Sequence, residues 1–193
     1  MDVFIHPTAT VEKTAKIGSG TRVWHYAHVR EGAVIGKNCI LGHCAYVDKN
    51  VRIGDNVKVE NKASLFQGVT IGDDVFIGPH VVFTNDARPR SLGEWKIVKT
   101  LVKKGASIGA NSTILCGIVI GAHSMIGAGS VVTEDVPDHC LVYGNPARIR
   151  GFVCQCGDDL EESGKDKGFF ILKCRKCKKN VKMPENIFIK TGR

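Results

Sequence analysis

The 193-residue chain lacks any run of eighteen apolar residues, so no helix within it could cross a bilayer and no membrane partner is expected. Its first residues, MDVFIHPTATVE, lack the basic start and apolar core of a secretory leader. The expected location is therefore cytoplasmic, and there eight cysteines argue for thiols or metal ligands rather than disulfides. Aromatic residues are scarce, at 7%, and none interleave with a basic stripe, so nucleic acid is not an expected partner. The formal charge of +8 suits anionic small molecules such as nucleotides or coenzyme A, and it equally suits an ordinary solvated surface. Apolar residues every three or four, the mark of amphipathic helices, are missing as well.

In their place is a six-residue beat. From Ile5 it runs through Val11, Ile17, Val23, Val29 and Ile35 and continues in step to Phe83; it resumes at Val102 and ends at Val132, and every position on it is apolar. Glycine often follows, as at Gly18, Gly36, Gly109 and Gly127, and the fifth position of each unit is small or β-branched, as at Ala27, Cys39 and Ser130. Period six fits a coil of short parallel strands joined by tight turns, three units to a triangular turn of eighteen residues. The large aliphatic and the small fifth residue fill the inside, and glycine is expected to supply the corner backbone angles that other residues resist. The fold class is thus all-β: a parallel β-helix over residues 1–150 with a small module at 151–193. The handedness does not follow from the period.

Eighteen-residue spacing stacks side chains. His25, His43 and Asn61 form one outward column, and Gln67 and Asn85 another, with Cys116 above. The stretch 89–101, PRSLGEWKIVKTL, falls out of step just after Asn85 and reads as a loop, which makes the wall beneath it the best pocket candidate. The histidines admit three readings: a zinc site shared between subunits, a general base, or surface hydrogen-bonders.

Cys154-x-Cys156 and Cys174-x-x-Cys177 place two close cysteine pairs seventeen residues apart, the pattern of four thiolates around a tetrahedral metal. A forty-residue module has too small a core to fold unaided. Structural zinc is expected, with iron or a redox pair as the alternatives. The spacing resembles a zinc ribbon.

The stretches Val23-Trp24-His25, Phe83-Thr84-Asn85-Asp86 with Arg88-Pro89-Arg90-Ser91, residues 100–117 (TLVKKGASIGANSTILCG) and 143–148 (YGNPAR) resemble the UDP-2-acetamido-3-amino-2,3-dideoxy-glucuronate N-acetyltransferases. The segment around Asn85 is shared with acetyltransferases acting on dTDP-3-amino sugars. This resemblance covers about residues 1–150. It implies a left-handed β-helix, a homotrimer, and acetyl-CoA with a UDP-sugar bound in clefts between neighbouring coils, for surface polysaccharide or glycan synthesis. It implies that Asn85 orients the attacking amine. Relatives commonly carry an acid one coil below; here Gln67 stands there, able to orient an amine but not to take its proton. The coenzyme sulfur is the implied acceptor. His25, His43 and Asn61 would contact substrate, and Arg88, Arg90, Lys96 and Lys99 would meet phosphates or a sugar carboxylate. Asn111, Gly127 and Ala128 would admit the pantetheine arm, and Arg148 would meet the coenzyme's phosphates. A zinc hydrase and a non-catalytic scaffold remain alternatives.

Overall fold

The computed structural model describes residues 2–191. Each hexapeptide forms a short strand ending on the beat, two residues long in all but Val69–Ile71 and Thr100–Val102, which have three: Arg22–Val23, His28–Val29, Val34–Ile35 and so on. The beat residue turns inward and is buried in nearly every coil, while its predecessor faces out. Strands pair in parallel with partners eighteen residues on, Phe4 with Arg22 and Val59 with Ile77. Three sheets of nine, seven and six strands result, the three-sided parallel solenoid expected of a hexapeptide β-helix. The small fifth residues close the corners from inside. Thr21 Oγ1 donates to Gly36 O at 2.8 Å and accepts from Cys39 N at 3.0 Å, and Cys39 Sγ donates to Gly54 O at 3.1 Å. Cys39 is thus core, and burial pushes its thiol pKa up.

The role expected of the beat's glycines is corrected. The left-handed backbone falls two residues later, at Asn38, Asn50, Asn56 and His123, whose φ values are 54–59°. Glycine follows the aliphatic because coils approach closely there: a Cβ on Gly18 would lie 2.5 Å from the carbonyl carbon of Gly36, and one on Gly109 would lie 2.5 Å from Ala128 N.

Three corners join the sheets. The first holds residues 24–27, 42–45 and 60–63; the second holds 30–33, 48–51 and 66–69; the third holds 18–21, 36–39 and 54–57. The third corner is a polar ladder. Asn38 Nδ2 donates to Asn56 Oδ1 at 3.4 Å and Asn56 Nδ2 to Asp74 Oδ1 at 2.9 Å. The loop leaves the second corner after Phe83. It ends earlier than the sequence suggests, because Thr100 and Leu101 are already strand, paired with Val69 and Thr70.

At the far end Cys140–Gly144 adds one more rung, and Ala147–Phe152 folds back antiparallel to it, across the expected boundary at 150. A three-stranded sheet (Leu160–Asp166, Phe169–Cys174, Asn180–Pro184) follows. Phe188 stacks on Phe170 at 3.7 Å and on Phe152 at 5.5 Å, so the module's core continues into that of the coil.

Candidate active site

Leu65 and Phe83 are in register on successive coils, and Gln67 and Asn85 lie two residues beyond them, respectively. Both are half-buried. Asn85 O accepts from Val98 N at 2.9 Å, which closes the neck of the loop. Gly68, at φ +100°, accepts from Thr100 N at 3.1 Å, and a Cβ there would lie 2.8 Å from Ile97 Cγ2. The returning limb of the loop therefore lies against the corner beside Gln67. Between them runs a groove of about 410 Å³, lined by Asn50, Arg52, Gln67, Ile97 and Lys99.

The groove's cations are Arg52 and Lys99, not the arginines that lead the loop. Arg88 and Arg90 are exposed; Arg88 N donates to Asp86 Oδ1 at 2.9 Å, and Arg90 Nη1 to Pro89 O at 2.8 Å. Arg52 escapes sequence reasoning because it is an outward strand residue, paired with Thr70, outside the third-position columns.

A second residue that the sequence does not reveal is Asp48. Its carboxylate is buried. Oδ1 accepts from Lys49 N at 2.8 Å, from Tyr46 OH at 3.1 Å and from Arg30 Nη1 at 3.2 Å; Oδ2 accepts from Gln67 N at 3.1 Å. Hydrogen bonding to Tyr46, and then the charge of the neighbouring Glu31, raise the Arg30 pKa further. The acid of this corner thus lies under Gln67, holding its backbone rather than facing the groove. The visible signal is an aspartate in a slot that glycine often fills.

His25, His43 and Asn61 lie on the first corner, around a groove of about 290 Å³ shared with Trp24 and Glu60. Asn61 Oδ1 accepts from His43 N at 2.8 Å, so part of its side chain ties its own coil to the one below. His43 Nε2 lies 3.2 Å from Cys44 Sγ, and the His25 ring stacks on His6 at 3.5 Å. Higher on the same edge come Pro79, Asn111, Gly127 and Ala128. Asn111 N donates to Pro79 O at 2.9 Å, and a Cβ on Gly127 would lie 2.8 Å from Tyr143 Cβ. Arg148 follows on the hairpin, 3.8 Å from Glu134.

One chain therefore unites Gln67, Asn85 and the loop on one edge, and the histidines with Asn111, Gly127 and Ala128 on another. The seven-stranded sheet separates the two edges. A site using both requires two copies.

The four tail cysteines converge. Their sulfurs all lie within 4.8 Å of one another, with Cys154 Sγ 3.4 Å from Cys177 Sγ and Cys156 Sγ 3.5 Å from Cys174 Sγ. A tetrahedron with metal–sulfur bonds of about 2.3 Å has edges of roughly 3.8 Å, so the cluster fits one such ion. Cys177 N points at Cys174 Sγ at 3.4 Å, the backbone donor a thiolate uses.

Comparison with known proteins places this geometry in context. Residues 14–49, 50–85 and 99–134 match the family described as bacterial transferase hexapeptide (six repeats). The dTDP-3-amino-3,6-dideoxy-alpha-D-galactopyranose 3-N-acetyltransferase of Aneurinibacillus thermoaerophilus is 57% identical over 164 residues, 82% of each chain. Among solved structures, a point mutant of perosamine N-acetyltransferase from Caulobacter crescentus, in complex with CoA and GDP-perosamine, superposes with a TM-score of 0.52 at 26% identity. That match covers 78% of this chain and 57% of that one. The acetyltransferase domain of PglB from Neisseria gonorrhoeae FA1090 gives 0.50 at 26% identity, covering 76% and 57%. The chain thus spans just over half the length of these solved structures.

Proposed function

We propose that this chain, which belongs to the bacterial transferase hexapeptide family, is an acetyl-CoA-dependent N-acetyltransferase acting on the 3-amino group of a nucleotide-linked sugar. The observation that carries the reading is the groove that the returning loop builds beside Gln67, with Asn85 one coil on at the neck of that loop rather than in the groove's lining. The 57%-identical relative favours a dTDP-3-amino-dideoxyhexose over the UDP-linked glucuronate as substrate.

The chemistry asks little of side chains. The neutral amine attacks the thioester carbonyl, the C–N bond forms, and the C–S bond breaks with its electron pair leaving on sulfur. The amine's surplus proton ends on that sulfur, giving free coenzyme A. Asn85 and Gln67 orient the amine, and most of the gain comes from proximity. Asp48 keeps Gln67 in place by holding its N–H. Arg52 and Lys99 supply positive charge for phosphates. Pantetheine runs along the first corner past Asn111, Gly127 and Ala128, and Arg148 meets the coenzyme's phosphates. Because the two edges lie apart in one chain, three copies form the clefts, first corner against second, with His25, His43 and Asn61 lining the substrate side. Cys154, Cys156, Cys174 and Cys177 hold structural zinc, which would supply the module's fold and take no part in transfer.

Thiol release from acetyl-CoA tests the reading: dTDP- and UDP-linked 3-amino sugars are offered in turn, and release with neither overturns it. Asn85→Ala should lower kcat about a hundredfold, the range for one oriented transition-state contact. Zinc above one per chain would instead favour a hydrase using the histidines.

A further inference from the structure

The chain has few aromatic rings, yet four ring-bearing residues gather at one place, Phe4, His6, Trp24 and His25, and Tyr26 beside them meets His43 edge-on at 5.7 Å. Phe4 packs on Trp24 at 5.4 Å. The Trp24 ring is nearly parallel to that of His25, at 5° with centroids 6.2 Å apart, and His25 stacks on His6 at 3.5 Å. Phe4 remains 42% exposed and Tyr26 61% exposed. These rings do not plug the open end of the coil. Phe4 pairs with the exposed Arg22 on the outward side of the sheet, whereas its neighbour Ile5 pairs with the buried Val23.

Trp24 is the shared wall of two grooves. One, of about 430 Å³, includes Phe4 and Arg22; the other, of about 290 Å³, includes His25, His43 and Asn61. A flat, partly polar ligand could lie on the rings with an anionic tail leading up the corner. Trp24 sits on the second coil and Asn85 on the fifth, three coils or about 14 Å higher along the axis. In a nucleotide sugar, the ribose and two phosphates separate base from hexose by a span of that order.

We infer that the Trp24 ring cluster is the subsite for the nucleobase of the sugar nucleotide, its rings stacking on the base while the sugar reaches the level of Asn85. This rests on the acetyltransferase reading for the sugar end. Stacking on aromatic side chains tolerates any base, because every base offers a π face. The cluster therefore supplies affinity, and choice between uracil and thymine falls to polar neighbours such as Arg22 and Asn61.

The test uses the full-length chain with Trp95, its other tryptophan, replaced by phenylalanine, so that emission reports on Trp24. UDP and dTDP are titrated separately, with inorganic pyrophosphate as the control. At least one nucleotide should quench saturably, while pyrophosphate, which has no base, should not. In otherwise native protein, Trp24→Ala should raise KM for the sugar nucleotide about tenfold or more while kcat stays within about twofold. Trp24→Phe, which keeps a ring, should restore most of it, and His25→Ala gives the same readout if Trp24→Ala does not fold. Absence of quenching by both nucleotides, equal quenching by pyrophosphate, or an unchanged KM overturns the inference. A chain that binds dTDP yet acetylates no amino sugar keeps the base subsite and loses the acetyltransferase reading.

Discussion

The coil and the cysteine module reach order by opposite routes. In the coil each rung repeats the same small contribution: one inward aliphatic, one small corner residue, and hydrogen bonds to the rungs above and below. No single rung is essential, and stability is close to a sum of neighbour terms. The module instead draws on a short three-stranded sheet, a few buried residues such as Leu160, Leu172 and Met183, and four converging sulfurs. With the proposed metal bound, much of its order would rest on those sulfurs, so the two regions should respond differently to the same kind of damage.

The largest effect is expected from removing the metal that the four thiols are proposed to hold. Cys174→Ser, or a strong chelator, should abolish protease protection of the module, leaving the coil with its own cooperative transition and its acetyl transfer. Trypsin digestion followed by mass spectrometry reads this directly, because the module is rich in Lys and Arg. Collapse of the coil as well would break the comparison and make the module part of the coil's folding unit.

A single inward residue of the coil should cost much less. Ile114 is fully buried, and Ile114→Ala should lower stability by about 2–5 kcal/mol by urea denaturation, without loss of fold. A corner residue should cost less again. Thr21→Val removes both the donor to Gly36 O and the acceptor for Cys39 N, for about 1–3 kcal/mol. If Thr21→Val proved worse than Ile114→Ala, the corners rather than the aliphatic stack would carry the coil.

The same contrast explains what can be read from the chain without coordinates. A period repeated over many coils specifies register, so spacing alone puts Gln67 and Asn85 together, and the four cysteines group by theirs. Asp48 and Arg52 stay hidden because they occupy positions two and six of their hexapeptides, where a polar side chain usually just meets water. Only the stacking of a neighbouring coil, with Gln67 N above Asp48 and the loop's return beside Arg52, gives them a role. The path of the loop is illegible for a related reason. Its docking depends on the bare surface of Gly68, and the sequence does not show which residue fills that space. Periodicity also puts the histidines and Asn85 in separate columns, as the sheets confirm, without saying which groove lies beside each.

The smallest effect belongs at the joint between the two regions, and it concerns pH. His139 Nδ1 lies 2.9 Å from Val153 O, tying the last turn of the coil to the segment that enters the module, and the His123 ring stacks on His139 at 5.2 Å. Burial lowers the His123 pKa below its usual 6.5, and His139 and Lys104 lower it further, against the opposing pull of Asp138 and Asp74. A histidine whose folded pKa is depressed favours the fold while neutral, because the unfolded chain takes up the proton first. Its contribution is therefore complete above pH 6.5 and is lost as pH falls through the folded value. The His123 ring proton followed by NMR should titrate below 6.5, and coil stability should fall with acid less steeply in His123→Asn. Asparagine suits this test because it accepts the left-handed backbone at that position, φ 54°, without new strain. An unchanged acid slope in His123→Asn would move the pH sensitivity of the joint to another group. A slope change accompanied by loss of protease protection in the module would show that the coil's last turn and the module loosen together, and so narrow the contrast between them.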